Sequence, residues 1–145
     1  MKYIRNWFSN FEKFATPLEA FGMTFRTPEH YYQAMKAAVA IDAVKIAEAE
    51  TPFKAKRMGR RVIIRPDWEI VKIEVMRVAQ RHRFSDKGWR DKLLNIGGDI
   101  VEWNNWHDNY WGDCVCEKCK KVNGRNELGK ILMGIKSELI SKDTK

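Results

Sequence analysis

Apolar and polar residues follow one another in this chain in a pattern that predicts several helices and a few short strands. The clearest helical spacing lies in residues 67–84, where Trp68, Val71 and Val75 recur at intervals of three and four. Apolar residues recur in the same way in residues 126–140. The two segments therefore predict the longest helix and a C-terminal helix.

Two Thr-Pro pairs mark the beginnings of further helices. Thr27 and Thr51 can each cap a helix whose first residue is the proline that follows. The first pair leads into EHYYQAMKAAVA, and the second into the short segment FKAKRM, which Gly59 ends. Two more helices are predicted at residues 42–50 and 87–95.

Short strands complete the predicted fold. The segment FGMTF, with Gly22 as a turn residue, predicts a hairpin, and RVIIR (61–65) and DIVEW (99–103) predict two further strands. The chain contains neither an internal repeat nor a low-complexity linker. We therefore expect one compact domain, 1–145, of the α+β class, predominantly helical with a few short strands.

Charge and aromatic content point toward a phosphate-bearing, ring-containing ligand. The 145 residues include 27 Lys and Arg against 19 Asp and Glu, a net charge of +8, and 12% aromatic residues. A solvated basic surface is the alternative explanation of the charge. The opening residues lack the features of a signal peptide, and no run of about 18 apolar residues occurs. We expect a cytoplasmic protein with reduced thiols and no membrane contact.

Three polar residues of the first predicted helix share one face. Glu29, Gln33 and Lys36 lie at positions i, i+4 and i+7, among aromatic and small neighbours. Apolar surroundings lower the pKa of a lysine and make its amine a nucleophile, while a nearby carboxyl group can hold the proton. The alternative is an exposed polar stripe that only supports the helix.

The stretch DIVEWNNWHDNYWG places Glu102 and Asp108 among tryptophans. A carboxyl group beside flat aromatic rings suits the cleavage of a glycosidic bond. Asn, Asp and Gly also favour turns, so a turn with the tryptophans in the core is the alternative.

All three cysteines lie in one short loop, Cys114-x-Cys116-x-x-Cys119, which follows His107. Three thiolates and one imidazole can form a tetrahedral structural zinc site. The usual second ligand pair, roughly a dozen residues away, is absent from the sequence. A structural zinc ion is therefore one hypothesis, and no cofactor is expected to be required for catalysis. Together with the net positive charge, a structural zinc site would suggest an alternative function, that of a zinc-stapled module that binds nucleic acid.

Seven motifs in succession resemble the NADAR, or YbiA-like, family. They are SNF (9–11), G-x-x-F-x-T-x-EHYYQA-x-KA (22–37), TP-x-x-AK-x-x-GR (51–60), R-x-DW-x-x-x-K-x-x-VM (65–76), IVE (100–102), WG (111–112) and G-x-N-x-LG-x-ILM-x-I (124–135). The resemblance extends from about residue 7 to residue 139. The cysteine-containing stretch 113–122 departs from the family pattern.

The resemblance implies a compact, mostly helical enzyme that cleaves the N-glycosidic bond between ribose and a base. The implied substrates are phosphorylated riboflavin-pathway intermediates or ADP-ribosylated guanine in nucleic acid. Lys36 matches the lysine that forms a Schiff base with the anomeric carbon in the family's proposed mechanism. Glu29, Glu102 and Asp108 are then the candidates for proton transfer, and Glu29 and Asp108 are the preferred catalytic residues among them. A reader of ADP-ribose or NAD without catalysis is an alternative, and the oligomeric state stays open.

The same resemblance implies substrate contacts. Arg60 and Lys56 offer charge to phosphate, and Trp111 and Trp68 can stack against the base. The remaining candidates for contacts with the substrate are Ser9, Asn10, Glu102, Gly112 and Asn126.

Overall fold

The computed structural model describes residues 2–4 and 8–143, which form six helices and five short strands. The helices are α1 (Pro28–Lys36), α2 (Ala40–Ala47), α3 (Pro52–Gly59), α4 (Trp68–Arg83), α5 (Lys87–Leu94) and α6 (Glu127–Asp143). The strands are β1 (Lys2–Ile4), β2 (Leu18–Ala20), β3 (Met23–Phe25), β4 (Ile100–Asn104) and β5 (Asp113–Cys114). The predicted α+β class, predominantly helical with a few short strands, is confirmed.

The backbone divides into two compact units. The helical unit is Asn10–Asp86, and the sheet unit combines Met1–Ser9 with Lys87–Lys145. The single domain expected from the sequence stays a prediction. No helix in the described part of the chain is long and apolar enough to cross a membrane.

In the helical unit, α1 packs against α2, α3 and α4. The core of this unit contains Phe14, Phe25, Tyr31, Ile46 and Trp68, together with other apolar residues. Burial of such side chains provides the main stabilisation of a small unit. Helix α1 is therefore packed between three other helices, which contact its side chains.

The turns and caps of this unit follow local sequence chemistry. The hairpin β2–β3 turns at Phe21 and Gly22, both with positive φ (55° and 74°), as a two-residue hairpin turn of type I′ requires. The Thr27 hydroxyl accepts a hydrogen bond from the His30 backbone N–H at 3.1 Å, and the Thr51 hydroxyl one from Lys54 at 3.0 Å. The predicted hairpin and both predicted helix starts are confirmed.

The strand predicted at 61–65 is wrong. Residues there form only one isolated bridge, between Ala37 and Ile64. The backbone N–H of Ala38 donates to the Ile63 carbonyl at 2.8 Å, and the N–H of Arg65 to the Lys36 carbonyl at 3.0 Å. Ile63 is 71% exposed, so the β-branched run is a surface segment attached to the end of α1 and not a buried strand.

In the sheet unit, β4 lies between β1 and β5 and pairs in parallel with both. Helix α6 packs against β4 and α5, and its buried face includes Leu128, Ile131, Leu132 and Ile135. Strand β4 confirms the predicted strand at 99–103, within one residue at each end. Strands β1 and β5 were not predicted, because two or three residues are too few to show an alternating pattern.

Candidate active site

One face of α1 carries a buried acid and a lysine. Glu29, in the first turn, is 7% exposed, and its Oε1 accepts a hydrogen bond from Gln33 Nε2 at 2.8 Å. The backbone N–H of Glu29 donates to the Asn10 carbonyl at 3.0 Å, which fixes the beginning of the helix. Lys36 occupies the last turn on the same face. The three residues therefore form the continuous polar stripe that their spacing predicts.

Burial raises the pKa of the Glu29 carboxyl group above its ordinary value. The hydrogen bond from Gln33 and the charges of Lys56, Lys36 and Arg60 act in the opposite direction, and burial dominates. The Glu29 carboxyl group therefore keeps its proton to a higher pH than an exposed glutamate does, which suits a proton donor.

Burial lowers the pKa of the Lys36 ammonium group below its ordinary value. Glu29 opposes this shift, whereas the positive charges of Arg60, Lys56 and Lys72 add to it. The Lys36 amine lies 6.0 Å from the centre of the Tyr32 ring. A lysine in these surroundings releases its proton at lower pH than an exposed lysine, and the neutral amine is a nucleophile.

Gln33 connects the acid to the neighbouring helix α3. Its side chain is 5% exposed, and its Oε1 has no hydrogen-bond partner among the residues that the structure describes. Gly59 lies directly against it, because a Cβ atom at Gly59 would overlap Gln33 Oε1 and come within 3.2 Å of Gln33 Cβ. A glycine is therefore needed at this position for packing, in addition to its place at the end of α3.

The end of α3 supplies the positive charges near this face. Arg60 is the C-cap residue of α3 and is exposed, and Lys56 lies one turn earlier with its ammonium 5.8 Å from the Phe11 ring centre. Both act electrostatically on Glu29 and Lys36. The structure thus brings together four of the residues predicted from the sequence, namely Glu29, Lys36, Lys56 and Arg60. Lys72 of α4 was not singled out, although the motif at 65–76 contains it.

Two other predicted residues of the helical unit serve its packing. Trp68 is 6% exposed and packs edge-on against Tyr32, with 5.0 Å between the ring centres. The Asn10 side-chain oxygen accepts hydrogen bonds from Gln80 at 2.7 Å and from Arg83 at 3.0 Å. Their substrate contacts stay predictions.

In the sheet unit, Asp108 shapes a turn. Its Oδ1 accepts hydrogen bonds from the backbone N–H groups of Tyr110 at 3.1 Å and Trp111 at 2.9 Å. The side chain of Asn104 also bonds to the backbone of this turn. It accepts a hydrogen bond from the Asp108 N–H at 3.1 Å and donates one to the Asp108 carbonyl at 2.7 Å. These contacts agree with the turn interpretation of the sequence, which did not identify Asn104 as a structural residue. The catalytic role of Asp108 stays a prediction.

Asn126, Gly112 and Glu102 meet at strand β4. The Asn126 side chain accepts from the Glu102 backbone N–H at 2.9 Å and donates to the Ile100 carbonyl at 2.8 Å, so it pairs with β4 as a strand would. A Cβ at Gly112 would overlap the Glu102 carbonyl oxygen. The family motifs WG and G-x-N therefore have a packing explanation, and ribose contacts by these residues stay predictions.

Two predicted residues of the sheet unit are half-buried. Trp111 packs edge-on against Tyr110, with 4.9 Å between the ring centres, and Ser9 lies just before the unit's boundary. Their roles at the base and the ribose stay predictions.

The four candidate metal ligands converge. The ligand atoms of His107, Cys114, Cys116 and Cys119 all lie within 4.8 Å of one another. This cluster belongs to the sheet unit and contains none of the residues of the α1 face.

Comparison with known proteins gives the family. The NADAR domain model matches residues 2–140. The chain belongs to the NADAR family. This NADAR protein is similar to the N-glycosidase Npun_R5314 of Nostoc punctiforme, with 35% identity over 138 residues that cover 91% of this chain and 84% of the relative. It is 37% identical over 136 residues to the N-glycosidase YbiA of Escherichia coli K12, which covers 91% of this chain and 80% of YbiA.

The solved NMR structure of E. coli YbiA has the same fold, with a TM-score of 0.77 and 36% identity over 95% of this chain and 80% of that one. A riboflavin biosynthesis protein of Zea mays, PYRR, shares 34% identity over 131 residues, which are 81% of this chain and 20% of the relative. Since relatives that match most of the chain are N-glycosidases, this NADAR protein is an enzyme that hydrolyses N-glycosyl bonds.

Proposed function

We propose that this N-glycosidase cleaves the bond between ribose and base in a phosphorylated ribosyl or ADP-ribosyl conjugate, through a Schiff base between Lys36 and the anomeric carbon. The observation that carries the proposal is the pair of Glu29 and Lys36 on one face of α1. Burial favours the neutral form of each group, a protonated acid and an unprotonated amine.

The pair suits a ribosylamine. In such a substrate the sugar ring opens when its ring oxygen takes a proton, which leaves an imine between the anomeric carbon and the amine of the base. The neutral Lys36 amine adds to that carbon. The nitrogen of the base then takes up one proton and the base leaves as a free amine. An imine between the anomeric carbon and the Lys36 nitrogen remains.

Water completes the reaction. It adds to the imine carbon, the carbon–lysine bond breaks, and the sugar leaves as an aldehyde that closes to a ring. The net change is hydrolysis of one N-glycosidic bond by one water molecule, without an oxidant or a reductant. Glu29, 7% exposed, is the proposed donor to the departing amine or ring oxygen, and it recovers its proton when water attacks.

The surrounding charge supports a phosphorylated substrate. Lys56 and Arg60 act on both members of the pair, and the chain carries a net charge of +8. Phosphate oxygens are good acceptors for both side chains. The relatives named riboflavin biosynthesis proteins favour an intermediate of that pathway, and the charge suits ADP-ribosylated nucleic acid equally.

Base release from two substrates tests the proposal. The enzyme is incubated with a phosphorylated ribosylaminouracil and, separately, with DNA that carries ADP-ribosylated guanine, and the free base or unmodified DNA is followed over time. We expect turnover of at least one. Absence of release from both at high enzyme concentration would overturn the proposed substrate class.

A further inference from the structure

We propose that His107, Cys114, Cys116 and Cys119 bind one zinc ion, which fixes the loop between β4 and the beginning of α6. Its four ligands do not include Glu29 or Lys36, and its role is structural. It stands on the geometry of the sheet unit alone and does not depend on the proposed reaction.

The separations of the ligand atoms are close to those that a tetrahedral zinc ion needs. His107 Nδ1 lies 3.3 Å from Cys116 Sγ and 3.5 Å from Cys119 Sγ, and no two of the four ligand atoms are more than 4.8 Å apart. Zinc bonds of about 2.3 Å to sulfur and about 2.1 Å to nitrogen place tetrahedral ligands roughly 3.5 to 3.8 Å apart. Small rotations of the side chains are enough to complete the site.

The backbone explains how closely spaced cysteines reach one point. Cys114 lies at the end of β5 and is 3% exposed. The chain then turns, with the N–H of Cys119 donating to the Cys116 carbonyl at 3.0 Å, so that the C-x-x-C segment forms a tight knuckle. His107, seven positions before Cys114 in the sequence, completes the set. The unusual C-x-C spacing is therefore compatible with one ion, because a strand end and a turn supply the two thiols.

Backbone N–H groups point at the most buried sulfur. Those of His107 and Cys116 lie 3.3 Å and 3.5 Å from Cys114 Sγ. Such N–H donors stabilise a metal-bound thiolate, which is a common second layer around zinc. His107 itself has a φ of 69°, an uncommon conformation for a residue other than glycine, and a bond to a metal would offset its cost.

The ligand set indicates which metal and which role. Three thiolates and one imidazole suit zinc, and the four residues of the cluster include no carboxylate, the ligand that magnesium or calcium prefers. Four protein ligands leave no open position for water, so the ion would be structural. Its effect would be on the loop that also carries Asp108 and Trp111.

Metal content gives the first test. Protein produced in zinc-supplemented medium and purified without a metal column should contain one zinc ion per chain by elemental analysis. Cobalt in place of zinc should give the visible absorption of a tetrahedral thiolate site. Cys119→Ser should lower bound zinc at least about tenfold under a competing chelator. Val115→Ser, at an exposed position in the same loop, should keep it.

Thiol accessibility provides a second readout if Cys119→Ser fails to fold. In the wild-type protein, zinc should protect all three cysteines from alkylation, and removal of zinc by a chelator should expose them and lower the thermal midpoint. Protein with three reduced thiols that takes up neither zinc nor cobalt would overturn the proposal. So would fewer than three thiols in unreduced, denatured protein, which would show a disulfide, or full zinc retention by a folded Cys119→Ser variant.

Discussion

The α1 face and the loop at 104–119 contain similar chemical groups and use them differently. On α1, the side chain of Gln33 donates a hydrogen bond to that of Glu29. Burial raises the pKa of Glu29 and lowers the pKa of Lys36, so it favours the neutral form of each group. In the loop, Asp108 and Asn104 are bonded to backbone groups. A rigid helix leaves its polar side chains available for chemistry, whereas an irregular loop uses them to satisfy its own backbone.

The largest effect should come from Lys36→Ala. Loss of the amine nucleophile removes the covalent step, so we expect kcat to fall by on the order of 10³-fold or more. Lys45→Ala, which removes an exposed lysine from the last turn of α2, is the matched control and should keep wild-type turnover. Steady-state kinetics of base release measures both. Equal losses in the two variants would show that α1 has no special role.

Glu29→Gln should have the next largest effect. It keeps the shape and an oxygen that can accept from Gln33, but it cannot donate a proton as an acid, so kcat should fall by about 10²-fold. Glu48→Gln, at an exposed position, is the control. A Glu29→Gln enzyme within threefold of wild type at every pH would remove Glu29 from the mechanism.

The same variant should change the pH dependence of stability. The pKa of Glu29 is raised from its ordinary 4.5, so its contribution to stability is fully present below 4.5 and is lost as the pH rises through the raised value. Glu29→Gln removes that loss. The free energy of unfolding of the variant, relative to that of wild type, should therefore rise as the pH increases from 4.5 through the raised pKa and stay level above it, as measured by urea denaturation at several pH values.

Gly59→Ala should disturb the α1 face from the neighbouring helix. The new methyl group would collide with the buried Gln33 side chain, and we expect a loss of about 1 to 3 kcal/mol in the free energy of unfolding. Gly134→Ala in α6 meets no atom within 4 Å and should instead add about 0.5 to 1 kcal/mol. Chemical denaturation of the pair checks this. A Gly59→Ala protein as stable as Gly134→Ala would contradict the packing role.

The smallest effect should come from Asp108→Asn. An Asn oxygen can still accept the N–H bonds of Tyr110 and Trp111, so we expect turnover within about threefold of wild type, whereas Asp108→Ala should cost about 1 kcal/mol in stability. Kinetics and thermal unfolding together separate the two roles. If Asp108→Asn loses as much activity as Glu29→Gln, Asp108 is a proton-transfer residue, as the sequence suggested.

The helices and their beginnings follow from the sequence because their signals are local. Thr27 and Thr51 cap helices within three residues of themselves, and the Phe21-Gly22 turn needs only its own backbone angles. The prediction of a strand at 61–65 is wrong for a different reason. β-branched residues favour extended backbone, but they do not show whether a partner strand lies beside it, and here only one isolated bridge forms.

The candidate site also has features that the sequence predicts and features that it does not. The spacing of Glu29, Gln33 and Lys36 predicted a shared face, since helical periodicity is a local property. The contact between Gln33 and Gly59 and the pairing of Asn126 with β4 join residues more than 20 positions apart, and no local pattern shows them. A motif residue such as Asn126 could therefore look like a ligand contact while it serves the fold.

Reductive trapping tests the central claim, that Lys36 is the nucleophile, most directly. The enzyme is mixed with substrate and sodium borohydride, digested, and analysed by mass spectrometry. We predict that the sugar phosphate is attached through a secondary amine at Lys36, and that Lys36→Ala gives no adduct while Lys45→Ala traps as wild type does. Base release at the normal rate without any adduct on wild type, or an equal adduct on Lys36→Ala, would contradict it.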